Sequence, residues 1–335
     1  MEYCHLTSSE RSQIYALLSI GCGQKQIALQ LNKSPSTISR EIKRNSGNKG
    51  YRPKQAQEKA SDRRHLASSE PKKMKGELLE VIREKLLLDW SPEQISGWLG
   101  RSGIEISHES IYLYVWNDKS QGGSLYTHLR RAGKKYLKRG SGKAGRGCIP
   151  KRVDIDARPV AAQRKERLGD WEGDTVIGAN HQGAILTLVD RKSKLSLLVN
   201  LESNTSVEVN NAISECFERL LAEYPRFKSL AQIARTITFD KGKEFSAHES
   251  ITQETGAQCY FAKPYHSWER GLNEHTNGLL RQYYPKKTDF TNLSEEKTKW
   301  IEDRLNDRPR KVLNYLTPRE VFMGKRQLTP IALHG

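Results

Sequence analysis

The sequence predicts a multidomain protein in which all-α units occupy residues 1–128 and an α/β domain occupies residues 166–325. Helix caps and turns recur at short intervals in the first part, whereas runs of β-branched and aliphatic residues begin near residue 170. The positive charge lies in the first half. Residues 1–169 hold 33 Lys and Arg against 17 Asp and Glu, and residues 170–335 hold 23 against 22.

Composition limits the classes of protein that the chain can represent. The formal net charge of +17 favours a polyanionic partner, and release of counterions from a phosphate backbone would supply affinity. No apolar run is long enough to cross a membrane, and no signal peptide is recognisable. The five cysteines are scattered and never form a C-x-x-C pair, so neither a disulfide framework nor a zinc cluster is indicated. We expect a soluble cytoplasmic protein with no membrane partner.

Residues 1–48 predict a helix-turn-helix domain. Thr7 and Glu10 match a capping box, the glycines of residues 21–23 end the first helix, and further helices are expected at 24–31 and 34–45. In the last of these helices, hydroxyl side chains precede cations, as in a recognition helix whose first turns reach base edges and whose later cations contact phosphates. A surface helix with solvated charges is the alternative. The predicted DNA contacts are Ser34, Ser36, Thr37, Ser39, Arg40, Lys43 and Arg44.

A second helical unit is expected at residues 77–128, after a polar basic linker at 49–76 that includes some helix from 53 to 65. Apolar residues recur at helical spacing, and Ser91 and Ser107 are positioned as N-caps. This arrangement repeats the first unit and predicts a second helix-turn-helix. The sequence does not decide whether this unit contacts DNA. Tyr112, Tyr114 and Trp116 have the helical spacing of core residues, and aromatic residues at that spacing can also stack on bases.

Residues 129–165 predict a flexible basic linker. The stretch 130–152 contains ten cations, five glycines and no acidic residue, so it cannot form an apolar core. We expect it to become ordered on a DNA backbone, although a linker that only aids solubility has the same composition. The predicted phosphate contacts are Arg130, Arg131, Lys134, Lys135, Lys138 and Arg139.

The domain at 166–325 alternates strands and helices, and a short tail at 326–335 follows it. Three strands within residues 170–199 are joined by short turns, as in an antiparallel meander. A helix at 205–224, a strand at 236–239, a further helix, a strand at 258–262 and a helix from Ser267 come next. This order of elements is that of the ribonuclease-H-like fold.

Two carboxylates in this domain form a candidate metal site. Asp240 follows the strand 236–239 at a Lys-Gly turn, and Glu274 comes after 33 intervening residues on a helix. Arg270, Glu274 and Asn277 share one polar face of that helix. Hard oxygen ligands suit Mg²⁺ or Mn²⁺, and two such ions can activate a nucleophile and neutralise the leaving oxygen.

Four segments then give a more specific indication. They read G-D-W-E-G-D at 169–174, T-F-D-K-G-K-E-F at 238–245, W-E-R-G-L-N-E-H-T-N-G-L-L-R-Q at 268–282 and N-D-R-P-R-K-V-L-N-Y-L-T-P at 306–318. They resemble the bacterial insertion-sequence transposases of the IS30 family, and the resemblance extends over nearly the whole chain.

The resemblance implies a DDE transposase with an integrase-type catalytic core. By position, the catalytic and metal-binding triad is Asp174, Asp240 and Glu274, with two Mg²⁺ (or Mn²⁺) ions at the site. The implied partners are double-stranded DNA, as terminal inverted repeats and as target, and further copies of the chain, because synapsis of two DNA ends needs at least a homodimer. Asp170, Glu172 and Glu269 are the neighbouring carboxylates that compete with the triad for these roles.

Two residues depart from the family pattern, which has Asn where this chain has Lys241 and His275. A cation next to Asp240 is expected to compete with a metal ion. Two other functions therefore remain to be compared with transposition. One is a DNA-binding transcriptional regulator with an inactive catalytic domain. The other is a recombinase with a covalent Tyr or Ser nucleophile, for which the sequence shows no Arg-His-Arg-Tyr constellation.

Overall fold

The computed structural model describes residues 5–69, 74, 76–130, 149–263 and 266–324. The chain divides into two compact units, residues 1–74 and residues 75–335. Among the helices of the described residues, none combines the length and the apolar character that a membrane span needs.

The first unit is a bundle of four helices around a small aliphatic core. Ile14, Ile27 and Ile38 are fully buried, and Tyr51 and Ala56 close the core. The capping box predicted at Thr7 is present, because its Oγ1 accepts from the backbone N–H of Glu10. The helices are α1 (Ser8–Ser19), α2 (Gln24–Gln30), α3 (Pro35–Asn45) and α4 (Pro53–Ser69).

The helix α3 is fixed on this bundle by a buried carboxylate. Glu41 accepts from the guanidinium of Arg11 at 2.8 Å and from the hydroxyl of Tyr51 at 3.1 Å. The residues expected as a linker at 49–76 therefore begin inside the first unit, since Tyr51 and Ala56 belong to its core and α4 packs on α1 and α3. This segment packs on the bundle because the side chains of Tyr51 and Ala56 are buried in its core.

The second unit begins with three helices, which contact residues from the C-terminal part of this unit. They are α5 (Glu77–Leu87), α6 (Pro92–Gly100) and α7 (His108–Ser120). Asp89, after α5, accepts from the hydroxyl of Tyr283 at 3.0 Å, and Arg101 donates to the carbonyl of Tyr315 at 3.1 Å. A Cβ at Gly97 would lie 2.2 Å from the Tyr315 ring, so glycine permits this close approach.

A five-stranded mixed sheet forms the centre of the second unit, with strand order β3-β2-β1-β4-β5. The first three strands are antiparallel neighbours, and β4 and β5 run parallel to β1. The strands are β1 (Asp170–Ile177), β2 (Ala184–Asp190), β3 (Ser196–Leu201), β4 (Thr236–Phe239) and β5 (Gln258–Phe261).

Helices cover both faces of the sheet. One face packs an extensive apolar core that includes Trp171, Phe217 and Phe239, and the other face packs a smaller core that includes Leu198, Leu280 and Ile301. The helices of this part are α8 (Val160–Gln163), α9 (Ser206–Glu223), α10 (Leu230–Ile233), α11 (His248–Thr255), α12 (Gly271–Tyr283), α13 (Glu295–Asn306) and α14 (Pro318–Met323).

Two local features differ from the sequence expectations. Residues 149–165 fall within the expected flexible linker, yet Ile149, Ile155 and Ala162 are buried and Val153 accepts a backbone hydrogen bond from Phe261 of β5. The helix expected from Ser267 starts at Gly271, after a 3₁₀ turn over Ser267–Arg270. Arg270 is the N-cap of α12, with a non-helical φ of −124° and a ψ of 29°.

Candidate active site

The parallel register of β1 and β4 places the first two predicted carboxylates side by side. Glu172 pairs with Thr238 across the two strands, so Asp174 and Asp240 lie two residues further along in the same direction. Because side chains alternate along a strand, Asp170, Glu172 and Asp174 project from the same face of β1. Asp174 and Asp240 therefore meet at the edge where β4 ends.

Arg270 joins the two carboxylates directly. Its Nη2 lies 2.8 Å from Oδ1 of Asp174, and its Nη1 lies 3.0 Å from Oδ2 of Asp240. The same guanidinium donates to the carbonyl of Gly173 at 3.1 Å. The side chain of Arg270 is only 11% exposed, whereas that of Asp240 is 45% exposed, so one end of the site is open to solvent.

The electrostatics of the site follow from burial and from this bridge. Burial raises the pKa of Asp174, the guanidinium of Arg270 opposes that rise, and the nearby charge of Asp240 adds to it. Burial lowers the pKa of Arg270, but the two carboxylates outweigh it and the net shift is upward. One cation thus bridges two carboxylates and offsets part of the repulsion between them.

Asn277 holds Asp174 from the other side. Its Nδ2 donates to Oδ2 of Asp174 at 2.7 Å, and its Oδ1 accepts from the hydroxyl of Thr187 on β2 at 3.2 Å. This pair of hydrogen bonds fixes the orientation of the Asn277 amide. Asp240 is held by its own turn, since its Oδ1 accepts from the backbone N–H of Gly242 at 2.9 Å.

Glu274 lies on the exposed side of the first turn of α12. It is three residues before Asn277, so the two side chains are neighbours on the helix surface. The structure brings Asp174 and Asp240 together on Arg270, but no group of three His, Cys, Asp or Glu side chains among the described residues is close enough to hold a metal ion. The position of Glu274 as the third ligand remains a prediction.

The competing carboxylates are occupied in other contacts. Glu172 is buried against Arg191 and also accepts from the backbone N–H of Asn273 at 3.2 Å. Asp170 is buried against Arg167 at 2.9 Å. Glu269 accepts from the backbone N–H of Lys263 at 2.9 Å. These carboxylates fix β1 and the segment before α12, and Asp174 is the one of the β1 row that lies at the open end.

Lys241 makes no ion pair with a carboxylate among the described residues. The cation on Asp240 is Arg270, which lies 30 positions further along the chain. Sequence reasoning placed Arg270 on the polar face with Glu274 but did not assign it to the carboxylates. The signal that could have revealed this contact was the parallel pairing of β1 with β4, because it brings Asp174 and Asp240 to the start of α12.

The predicted DNA contacts of the first unit lie on α3 and its N-cap. Ser36, Ser39, Arg40, Lys43 and Arg44 are exposed, and Thr37 is partly buried. The hydroxyl of Ser34 caps the helix by accepting from the N–H of Thr37 at 3.1 Å, and Arg40 donates to the carbonyl of Ser36 at 3.0 Å. Of the predicted linker contacts, Arg130 is exposed, and Arg131, Lys134, Lys135, Lys138 and Arg139 lie outside the described residues.

Several relatives match nearly the whole chain, among them three transposases from different bacteria. The transposase for insertion sequence element IS4351 of Bacteroides fragilis is 44% identical over 321 residues, covering 95% of this chain and 95% of the relative. The transposase InsI for IS30A of Escherichia coli K12 is 39% identical over 337 residues, covering 95% and 83%. The transposase for IS1086 of Cupriavidus metallidurans is 34% identical over 330 residues, covering 96% and 95%.

Solved structures match the chain at lower similarity, among them a catalytic core domain and an intasome. The catalytic core domain of BIV integrase matches with a TM-score of 0.33 and 19% identity, over 46% of this chain and 93% of that chain. An intasome of simian T-cell lymphotropic virus in complex with the PP2A regulatory subunit B56 gamma matches with a TM-score of 0.36 and 16% identity, over 64% and 72%.

A helix-turn-helix domain family matches residues 2–45, which are the residues of α1 to α3 and their flanks. A helix-turn-helix domain joined to a mixed sheet with paired carboxylates, in a chain whose relatives are transposases, is an enzyme of DNA recombination, one that cleaves DNA and transfers its strands. The relatives narrow this class, and the chain belongs to the IS30 family of insertion-sequence transposases. The fold, family and enzyme class predicted from the sequence are confirmed, and a solely regulatory role is not favoured.

Proposed function

We propose that this transposase binds the terminal inverted repeats of its own insertion sequence and cuts and joins them at a site formed by Asp174, Asp240 and Glu274. The observation that carries the proposal is the pairing of Asp174 with Asp240 on one cation. Residues 34–44 are suited to the repeats, because α3 exposes short hydroxyl side chains followed by cations. The DNA on which this transposase acts would be that of a bacterial nucleoid, by analogy with the bacterial sources of its relatives.

The donor set is chemically suited to divalent cations. Two carboxylates on adjacent strand ends already share one positive group, and carboxylate oxygens are preferred ligands of Mg²⁺ and Mn²⁺. Asp174 and Asp240 would be ligands, Glu274 would complete the site, and Asn277 would orient Asp174. The chemistry of such sites leads us to expect two metal ions. When bound, they would supply a Lewis acid and an activated oxygen nucleophile. Arg270 would have to give up at least part of its contact with the carboxylates.

The test compares cleavage by the unaltered protein with cleavage by Asp174→Asn, Asp240→Asn and Glu274→Gln on DNA that carries the ends of the element. We expect Mg²⁺-dependent cleavage and strand transfer by the unaltered protein, and a fall of at least about 1,000-fold in each variant with DNA binding retained. Glu269→Gln is the matched control, because it removes the same charge five residues before Glu274 and should keep its rate within a few fold.

Other outcomes point to the other functions. Full activity of Glu274→Gln would remove Glu274 from the proposed site. Specific binding without cleavage by the unaltered protein would favour the regulator, and DNA covalently linked to the protein would favour a recombinase with a Tyr or Ser nucleophile. Size-exclusion chromatography with DNA ends present measures the oligomer, and we expect a homodimer or a larger assembly on paired ends.

A further inference from the structure

Three arginines form a cluster beside α12, on the second compact unit. Arg130 follows the 3₁₀ turn Leu125–His128, and Arg308 and Arg310 follow α13. A Cβ at Gly278 would lie 3.1 Å from Nη2 of Arg130, so this guanidinium rests against the middle of α12. We call Arg130, Arg308 and Arg310 the arginine cluster.

The arginine cluster is short of acceptors. Arg308 is 3% exposed and donates to the hydroxyl of Tyr283 at 2.6 Å and to Oε1 of Gln282 at 3.4 Å. Arg310 donates from its side chain to the carbonyl of Leu305 at 2.9 Å. The Nε–H groups of Arg308 and Arg310 are buried and have no partner. Within the described part of the chain, no carboxylate forms an ion pair with any of the three.

The three charges disfavour one another. Burial, together with the charges of Arg308 and Arg130, lowers the pKa of Arg310 to about 9. The negative charge of Asp89 acts on Arg308 only through space. Oδ2 of Asp89 is hydrogen-bonded to the hydroxyl of Tyr283 and not to the guanidinium. A buried cation without a counter-charge is costly, so this arrangement has an energetic cost that an anion would relieve.

The cluster lies beside the proposed active site on the same helix. At about 100° per residue, Asn277 lies about 60° to one side of Glu274, whereas Gly278 and His275 lie about 40° and 100° to the other side. Asn277 contacts Asp174, and Gly278 contacts Arg130. Glu274 therefore lies between the paired carboxylates and the arginine cluster, and a DNA strand crossing α12 would meet both.

We infer that the arginine cluster is a binding site for one backbone phosphate of the DNA strand held at the active site, on the flank of α12 away from Asp174. Guanidinium groups bind phosphate through paired, charge-assisted hydrogen bonds, and the exposed Arg130 and the partly exposed Arg310 are the members of the cluster that a phosphate can reach. This site would fix how the strand crosses Glu274. The placement of the strand rests on the proposed function, whereas the phosphate site itself can be measured without catalysis.

The experiment measures DNA binding by the full chain in EDTA, so that no cleavage and no metal site are involved. Affinity for a labelled duplex carrying the ends of the element is followed against salt for the unaltered protein, Arg310→Gln and Arg130→Gln. Loss of one phosphate contact lowers the slope of log affinity against log salt by about 0.9. Arg226→Gln is the matched control, because Arg226 is exposed and also makes one hydrogen bond to a backbone carbonyl, that of Phe322 at 2.9 Å.

We expect a shallower slope for Arg310→Gln and Arg130→Gln, an unchanged slope for Arg226→Gln, and no fall in the melting temperature of Arg310→Gln in the absence of DNA. Replacing one phosphate near the cleavage point with a neutral methylphosphonate should weaken DNA binding by the unaltered protein. The same replacement should leave DNA binding by Arg130→Gln unchanged. Arg130 is exposed, so its variant keeps the test valid even if Arg310→Gln fails to fold. Unchanged slopes in both variants would overturn the inference, whatever the triad variants show.

Discussion

Asn277 donates a hydrogen bond from its side-chain amide to Oδ2 of Asp174 at 2.7 Å, and this contact connects α12 to the central strand of the sheet. Thr187 holds the amide in the orientation that allows this donation. The contact leaves Oδ1 of Asp174 to Arg270, so each carboxylate oxygen has a side-chain partner. A carboxylate fixed in this way has little freedom to turn away from a metal ion.

We therefore predict that Asn277→Ala lowers the rate of DNA cleavage by roughly 10- to 100-fold, which is the usual effect of removing a residue that orients a metal ligand. The concentration of Mg²⁺ at half-maximal rate should rise. Thr187→Val is the graded control, because it removes only the hydroxyl that orients Asn277 and should have a smaller effect in the same direction. A rate equal to that of the unaltered protein in Asn277→Ala would show that Asp174 needs no such support.

Arg270→Gln is expected to expose the repulsion between Asp174 and Asp240. Breaking this largely buried bridge should cost about 3 kcal/mol of unfolding free energy without metal. Added Mg²⁺ or Mn²⁺ should then raise the melting temperature of Arg270→Gln more than that of the unaltered protein, because a divalent cation no longer competes with the guanidinium. Arg226→Gln again serves as the control. Equal metal-induced shifts in all three proteins would mean that Arg270 does not occupy the place of the metal.

Gly173, immediately before Asp174, has no room for a side chain. A Cβ at this position would lie 2.4 Å from the ring of Phe239 on β4. Gly173→Ala should destabilise the protein by about 1–3 kcal/mol, the usual cost of overpacking a core, and should displace Asp174. Gly271→Ala is the matched comparison, since a Cβ there would have no other atom within 4 Å and the backbone is helical, with φ −59°. Urea unfolding of both variants measures the difference, which would vanish if β1 and β4 could separate freely.

Stability at alkaline pH should depend on Lys194, in the turn between β2 and β3. Burial, and then repulsion by Lys165, lowers its pKa from 10.5 to about 8. Between those values the unfolded chain binds more protons than the folded protein, so the contribution of Lys194 to stability rises with pH over this window and is constant below it. We expect the unfolding free energy of the unaltered protein to gain up to about 3 kcal/mol relative to Lys194→Gln between about pH 7.5 and pH 10. Parallel pH profiles would contradict this assignment.

The buried cysteines should be chemically inert. Burial raises the pKa values of the Cys216 and Cys259 thiols to about 12. Because the thiolate is the reactive form, alkylation by iodoacetamide at about pH 8 should leave both residues unmodified in the folded protein and should label them in denaturant. Peptide mass spectrometry measures the result, and the partly exposed Cys22 is the internal positive control. Rapid labelling of Cys259 without denaturant would show that α11 and β5 open readily.

The sequence was sufficient for features that depend on local pattern. The caps at Thr7, Ser34, Ser91 and Ser107 predicted the helix starts, and the β-branched run before Asp240 predicted the strand that ends there. The family motifs then placed Asp174 on β1. Each of these signals lies within a few residues of the feature it predicts.

Contacts between distant segments could not be predicted in the same way. The bridge from Arg270 depends on the pairing of β1 with β4, and the burial of Arg308 depends on Tyr283 and on helices that precede the sheet in the chain. Arg308, Arg310 and Lys311 carry the charge expected either of a DNA contact or of an exposed cationic turn, yet Arg308 is almost fully buried. Charge alone does not distinguish a solvated arginine from one held under a packed helix.

The central position of β1 has a consequence for synthesis of the protein. The chain emerges from its N-terminus, so the helix-turn-helix domain is available well before β4 is made and pairs with β1. A product that ends before Thr236 lacks Asp240 and cannot assemble the carboxylate pair. Under the proposed function, such a truncated chain would keep the helix-turn-helix domain without the cleavage site, and would compete with the full-length enzyme for its DNA sites.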